Sequence, residues 1–124
     1  MSDTLGLRAL TAALLLLAQV VTAAPVRAEE TTPLEITLNP TRFAGQVVTV
    51  HGTLTNLLPR GRMGGPGAVF DVMERGVFVQ VLSLTPPPCA PGSPVTVEGR
   101  FETMRRVGAQ TLTNVIEAFA MRCR

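Results

Sequence analysis

The chain has no tryptophan, no tyrosine and no lysine, a single histidine and only two cysteines. Five phenylalanines are its whole aromatic inventory, which is poor material for a surface that stacks successive bases of a single-stranded nucleic acid. The eleven basic residues are all arginine, a preference that fits GC-rich coding and carries no functional weight. Against them stand nine acidic residues, for a formal net charge of +2. A chain this close to neutrality has no general electrostatic pull on nucleic acid or an anionic membrane. The lone His51 lies on a strand among threonines, with no second ligand at metal spacing, so it reads as a surface residue. The length of 124 residues leaves room for one domain. An apolar share of 46% is too high for a disordered chain.

The first residues read as an export signal. Arg8 precedes an uncharged run from Ala9 to Val26, with Leu14, Leu15, Leu16 and Leu17 at its centre. This is a basic n-region followed by an apolar h-region. Val26-Arg27-Ala28 fits a cleavage site after Ala28, whereas cleavage after Ala24 would leave an unfavourable Pro25 at the next position. Residues 1–28 are therefore expected to be a signal peptide and the product to be periplasmic or secreted. The alternative is an uncleaved membrane anchor over residues 9–26, a run of 18 residues at the lower limit for a spanning helix. Gln19, Thr22 and Pro25 weaken it, and no cysteine is placed for a lipoprotein anchor. Without residues 1–28 the chain keeps nine Arg and eight acids, a net charge of +1.

Both cysteines, Cys89 and Cys123, fall in the mature region. In an oxidising compartment such a pair commonly joins. The closed loop would hold 35 residues and contribute about 3–4 kcal/mol through loop-closure entropy. Free thiols and a redox-active pair are the other readings, the latter lacking both CxxC spacing and a nearby activating charge.

Residues 29–44 form a polar leader with Pro33 and Pro40, and alternation over Leu34-Glu35-Ile36-Thr37-Leu38 predicts one short strand there. Five strands are predicted after Gly45, in the domain at residues 45–124. In the first, Val48, Val50, Gly52 and Leu54 share one face and Thr49, His51, Thr53 and Thr55 the other. Asn56–Gly67 (NLLPRGRMGGPG) must be a loop. Ala68–Met73 is the second strand, Glu74-Arg75-Gly76 a tight turn and Val77–Leu84 the third strand. Thr85–Pro94 (TPPPCAPGSP) has five prolines and can carry neither helix nor strand. The fourth strand starts at Val95 and alternates through Glu102, Thr103–Gln110 is a connector, and the last strand covers Thr111–Arg122. Alternation in that last strand slips at Asn114-Val115-Ile116, which predicts a bulge or burial on both faces.

Five short strands with Gly52 and Gly99 at strand centres, where barrels bend sharply, predict an all-β, small five-stranded barrel. The stretches QVVTVHGTL, GAVFDV, GVFVQVLS, SPVTVEGRFE and TLTNVIEAF, in this order, resemble the OB-fold (oligonucleotide/oligosaccharide-binding fold), and in particular the small exported bacterial OB-fold proteins. The resemblance implies strands three and five side by side and parallel, which would bring Cys89 and Cys123 to one end of the barrel. It also implies a helix between strands three and four, which TPPPCAPGSP cannot form; the bridge would replace it as a clamp.

No catalytic constellation stands out. Asp71, Glu74 and Arg75 read as a solvated turn, Ser83 and Ser93 have no base nearby in sequence, and RGRMGGPG lacks the GK[ST] and helix of a phosphate loop. No cofactor and no metal are expected. The resemblance implies a ligand lying across strands two and three, between the first loop and the loop joining strands four and five. Arg60 and Arg62 would stand in one loop and Arg105 and Arg106 in the other, four guanidinium groups on one rim, suited to an anionic ligand. Phe78 and Gln80 would face the ligand. The expected function is that of an exported, non-catalytic binding or accessory module of the cell envelope. One alternative is a protein-interaction module docking by Val69, Met73, Phe78 and Leu82; a second is a nucleic-acid-binding domain, which the few aromatics disfavour. An envelope protein or a small anion would be the partner, and a membrane only with an uncleaved signal.

Overall fold

A computed structural model of the chain describes residues 27–59 and 67–124; residues 1–26 of the expected signal peptide, and Arg60 and Arg62, lie outside the described residues. The segment expected to be a leader carries β1 (Glu29–Thr31) and two short helices, α1 (Pro33–Leu38) and α2 (Pro40–Phe43). The strand predicted over Leu34–Leu38 is thus a helix, and local chemistry explains the difference. The Thr32 hydroxyl accepts from the Glu35 backbone N–H at 3.1 Å, Pro33 takes the first helical turn, and the Thr31 hydroxyl donates to Glu35 Oε2 at 3.1 Å. This cap satisfies orphan donors that a strand would leave to water. Ile36 points inward while Leu34 and Leu38 stay exposed, so the alternation never marked a common face.

The five predicted strands follow as β2 (Val47–Pro59), β3 (Ala68–Glu74), β4 (Val77–Ser83), β5 (Pro94–Val107) and β6 (Gln110–Cys123). They pair in the order β2-β3-β4-β6-β5, and β5 returns to β2 to close the barrel. β1 adds to β2 in parallel. β4 and β6 are also parallel, over only three rungs from Gln80↔Val115 to Leu82↔Glu117. Between β3 and β4, Arg75 (φ 52°) and Gly76 (φ 77°) make the tight turn with two left-handed residues, as a two-residue hairpin loop requires.

Alternate residues of the strands point into one core, where Phe43, Phe70 and Phe101 are fully buried. Ile36 and Phe43 belong to it, so α1 and α2 supply part of the barrel's filling. No helix joins β4 to β5. That connection is tied by hydrogen bonds between Leu54 and the Gly92–Ser93 backbone, at 2.7 and 3.0 Å, and by the Cys89–Cys123 disulfide, with Cα atoms 5.7 Å apart.

The predicted connector at Thr103–Gln110 is mostly strand. β5 continues to Val107, the chain turns at Gly108 (φ 59°), and β6 begins at Gln110. Beyond the Glu102↔Val115 rung this hairpin is an arm paired only with itself among the described residues. It bends back over the barrel. Arg105 lies five residues past Arg100, the partner of Glu117, so a straight strand would carry it about 16 Å further along. Its Nη2 is nevertheless 3.5 Å from Glu117 Oε1. The bend begins at Asn114 (φ 50°), where the sequence alternation slips. It places Val107, Leu112 and Val115 against Val69 and Leu82 in a second apolar cluster on the outer face of β3 and β4.

Candidate ligand groove at the barrel seam

β4 and β6 meet late. Before the Gln80↔Val115 rung, the arm's turn at Asn114 carries β6 away, and the two strands part. A groove of about 480 Å³ opens there, lined by Val77, Phe78 and Gln80 from β4, Thr113 and Asn114 from β6, and Thr37 from α1. Phe78, on the outward side of β4, is 54% exposed. Gln80 is half-buried and lies on the rung between Asp71 and Val115. Among the described residues no ionisable side chain lines the groove. On the side facing the seam, Val77–Val79 have no strand partner among the described residues, and Val79 is buried.

Of the residues singled out in the sequence, Phe78 and Gln80 therefore share one groove. Asn114, Thr113 and Thr37 escaped that reading. Asn114 was detectable, because it stands at the slip in alternation; nothing in the sequence pointed to Thr37. Arg105 and Arg106 are exposed and stand on β5 instead of in a loop, with Arg105 engaged by Glu117. Arg60 and Arg62 lie outside the described residues, so the rim of four guanidinium groups is not assembled by what is described.

The apolar patch Val69, Met73, Phe78 and Leu82 needs correction. Val69 and Leu82 are each 2% exposed, because the arm covers them. Asp71, read as part of a solvated turn, is also buried. It lies within β3 and accepts a hydrogen bond from Asn56 Nδ2 at 2.9 Å. His51 is more engaged than a plain surface residue. Arg124 Nη2 lies 3.3 Å and the Thr96 hydroxyl 2.9 Å from its Nδ1. Its Nε2 lies 3.5 Å from Glu30 Oε1.

A larger groove, of about 640 Å³, runs between β6 and the proline-rich connection. Ala118 and Ala120 pair with Gly99 and Glu98, so Phe119 is an unpaired bulge residue pushed outward beside Leu84, Pro86 and Pro88. Its walls are mainly apolar, and the Ser83 hydroxyl is already bonded to the Thr85 backbone. Its polar side chains are the two hydroxyls of Ser83 and Thr85, whereas the seam groove offers two carboxamides.

No protein-family model matches the chain, and no curated protein matches it. Solved structures do. The chain is similar to a protein of Leishmania major Friedlin classed as an aspartyl-tRNA synthetase, with a TM-score of 0.57 and 12% identity over 84% of this chain and 22% of that one. It is also similar to an OBody bound to hen egg-white lysozyme, with a TM-score of 0.53 and 20% identity over 83% of this chain and 98% of that one. The barrel is OB-like. At these identities the likeness concerns the fold alone, and the chain spans about a fifth of the synthetase chain it matches. The OB-like topology accounts for the parallel β4–β6 pair, which brings Cys89, in the connection that follows β4, to Cys123 at the end of β6.

Proposed function

We propose that this OB-like domain is a non-catalytic binding or accessory module of the cell envelope, exported by residues 1–28, and that its ligand surface is the seam groove. One observation carries the surface: Phe78, an exposed aromatic, stands beside the half-buried Gln80 where β4 and β6 part. An exposed aromatic next to a few polar groups in a concavity is the usual composition of a ligand pocket. The disulfide supports the compartment, since such bonds persist mainly under oxidising conditions. Among the described residues no helix is long and apolar enough to cross a membrane.

The arginine rim is the finer alternative for the ligand, and it requires an anion. Salt separates the two readings. Binding at the rim should fade in about 1 M salt, where the Debye length is about 3 Å, and binding in an uncharged groove should persist. Docking of a protein partner is a second reading, favoured by the OBody's solved complex with lysozyme. A nucleic-acid ligand has in its favour only the likeness to a synthetase chain.

The compartment is tested by the mass of the protein recovered from cells, under non-reducing conditions and after alkylation of free thiols. Loss of residues 1–28 with no alkylation is expected. An intact N-terminus, or two alkylated cysteines, would overturn the exported, disulfide-bonded reading. The surface is tested by the retention of Phe78→Ala and Phe119→Ala variants on immobilised envelope extract. Loss with the first and not the second is expected; the reverse would move the site to the groove beside β6.

A further inference from the structure

Among the described residues, the arm has a strand edge on β5 with no partner. We propose that this edge pairs with the same edge of a second copy, in an antiparallel dimer whose two-fold axis passes at Met104. The dimer does not depend on the seam groove being the ligand surface. On its side away from β6, β5 pairs with β2 only as far as the Val47↔Arg100 rung. Phe101 still accepts from the Gly45 N–H and donates to the Gln46 carbonyl, both at 2.8 Å. From Glu102 to Val107 that side has no backbone partner among the described residues, and Thr103, Met104, Arg105 and Arg106 are all exposed. Gly108 and Ala109 make a two-residue turn, so Val107 and Gln110 exchange hydrogen bonds. Alternation back from that pair turns the N–H and C=O of Arg106 and Met104 to the open edge. A row of such groups is a template for another strand.

The side chains along the edge select a second copy and fix its register. Arg105 and Val107 turn toward the barrel, to Glu117 and to the second apolar cluster. Glu102, Met104 and Arg106 alternate with them and share the other face. Met104, at the centre of the three, is 67% exposed. An acid, a methionine and an arginine at this spacing are self-complementary. With Met104 opposite its own counterpart, Glu102 of each copy stands opposite Arg106 of the other, twice by symmetry. Unlike charges directly opposite each other stabilise a strand pair, and like charges destabilise it. Moving the axis by one residue, to Arg105, would set arginine against arginine and place Glu102 opposite Gly108 in the turn. Among the described residues neither Glu102 nor Arg106 has an ion-pair partner within its own copy. The stretch 60–66 (RGRMGGP) contains no acid that could answer Arg106. Met104 pairs with Thr113, which lines the seam groove. The dimer would therefore hold two such grooves side by side, their Thr113 residues three strand spacings or about 14 Å apart.

The test is sedimentation equilibrium of the protein as recovered from cells, with its disulfide intact. The edge is short, so a reversible monomer–dimer equilibrium is expected, with a dissociation constant between about 1 µM and 1 mM. Glu102→Arg and Arg106→Glu should each weaken it about tenfold or more, and the variant carrying both changes should restore it. The two positions are four residues apart on one strand, about 13 Å, so the rescue can come only from pairs between copies. Arg106 is exposed and its reversal should leave the barrel folded. Glu102→Gln, which keeps the size of a half-buried side chain, should weaken the dimer as well. A monomer at all concentrations up to about 1 mM would overturn the dimer. A dimer unmoved by the single reversals, or not restored by the double one, would overturn this edge and its register. So would a dimer that is lost with Phe78→Ala or Phe119→Ala and kept with Arg106→Glu, since its contact would then be one of the two grooves.

Discussion

Val115 and Ile116 are neighbours in sequence, both are fully buried, and they belong to different apolar clusters. Ile116 fills the barrel, and Val115 anchors the arm to the outer face of β3 and β4. The left-handed Asn114 just before them turns the strand so that both burials are met. The same turn opens the seam where Phe78 stands. Closing the arm and opening the groove are thus two consequences of one backbone bend.

The arm depends on a small cluster, so single truncations should release it. Leu112→Ala is expected to cost about 2 kcal/mol, the low end for a buried leucine because a surface cluster relaxes easily. Hydrogen exchange should then lose protection over residues 103–113 and keep it in β2 and β3. Uniform loss of protection across all strands would show that the arm and barrel unfold as one unit.

Two glycines should respond differently to the same change. At Gly99, beside the β-bulge, an added Cβ would run into the Glu117 backbone carbonyl. Backbone cannot rotate out of the way, so Gly99→Ala is expected to cost about 3 kcal/mol or more, the upper range for overpacking. At Gly76 the added Cβ would meet nothing within 4 Å, but φ is 77°. Gly76→Ala should cost only the left-handed penalty of about 1–2 kcal/mol. Urea unfolding of the two variants checks the order; equal losses would mean that the barrel widens at Gly99 at little cost.

Much of this arrangement was legible in the sequence because period-2 alternation and breakers are strong local signals. The five strands, the turn at Arg75-Gly76 and the double burial at Val115-Ile116 all follow from such signals. What escaped has a common cause. α1 was hidden because alternation over five residues outweighed the Thr32-to-Glu35 cap. The arm was hidden because its burial of Val69 and Leu82 depends on a tertiary bend that no local pattern encodes. Phe78 and Gln80 were recognisable as outward residues of one strand, but the groove needed Thr113 and Asn114, more than thirty residues away.

The disulfide holds a connection that otherwise has few backbone hydrogen bonds. Its removal in a Cys89→Ala, Cys123→Ala variant is expected to cost about 3–4 kcal/mol, from loop-closure entropy. Exchange protection should fall first at residues 85–93, which lose their only covalent tie to β6. Chemical denaturation with and without a dithiol reductant measures the effect. An unchanged midpoint would mean that the Leu54 hydrogen bonds to Gly92 and Ser93 suffice.

The segment at 29–44 distinguishes a leader from a structural part of the domain. Ile36 and Phe43 are both fully buried in the barrel core. Ile36→Ala should therefore open a cavity and cost about 3 kcal/mol, as for other buried aliphatic truncations. Thr32→Ala should cost about 1 kcal/mol by removing the helix cap. Leu38→Ala, at a position 68% exposed, should change stability by less than about 0.5 kcal/mol. The sizes of these effects identify the cause, since a segment merely draped on the surface would give small values throughout. A chain shortened to begin at Gly45 would lack both core side chains, and it should lose the cooperative unfolding transition of the full protein. If the shortened chain unfolds with the same midpoint and slope, α1 and α2 are dispensable and the barrel closes on its own strands.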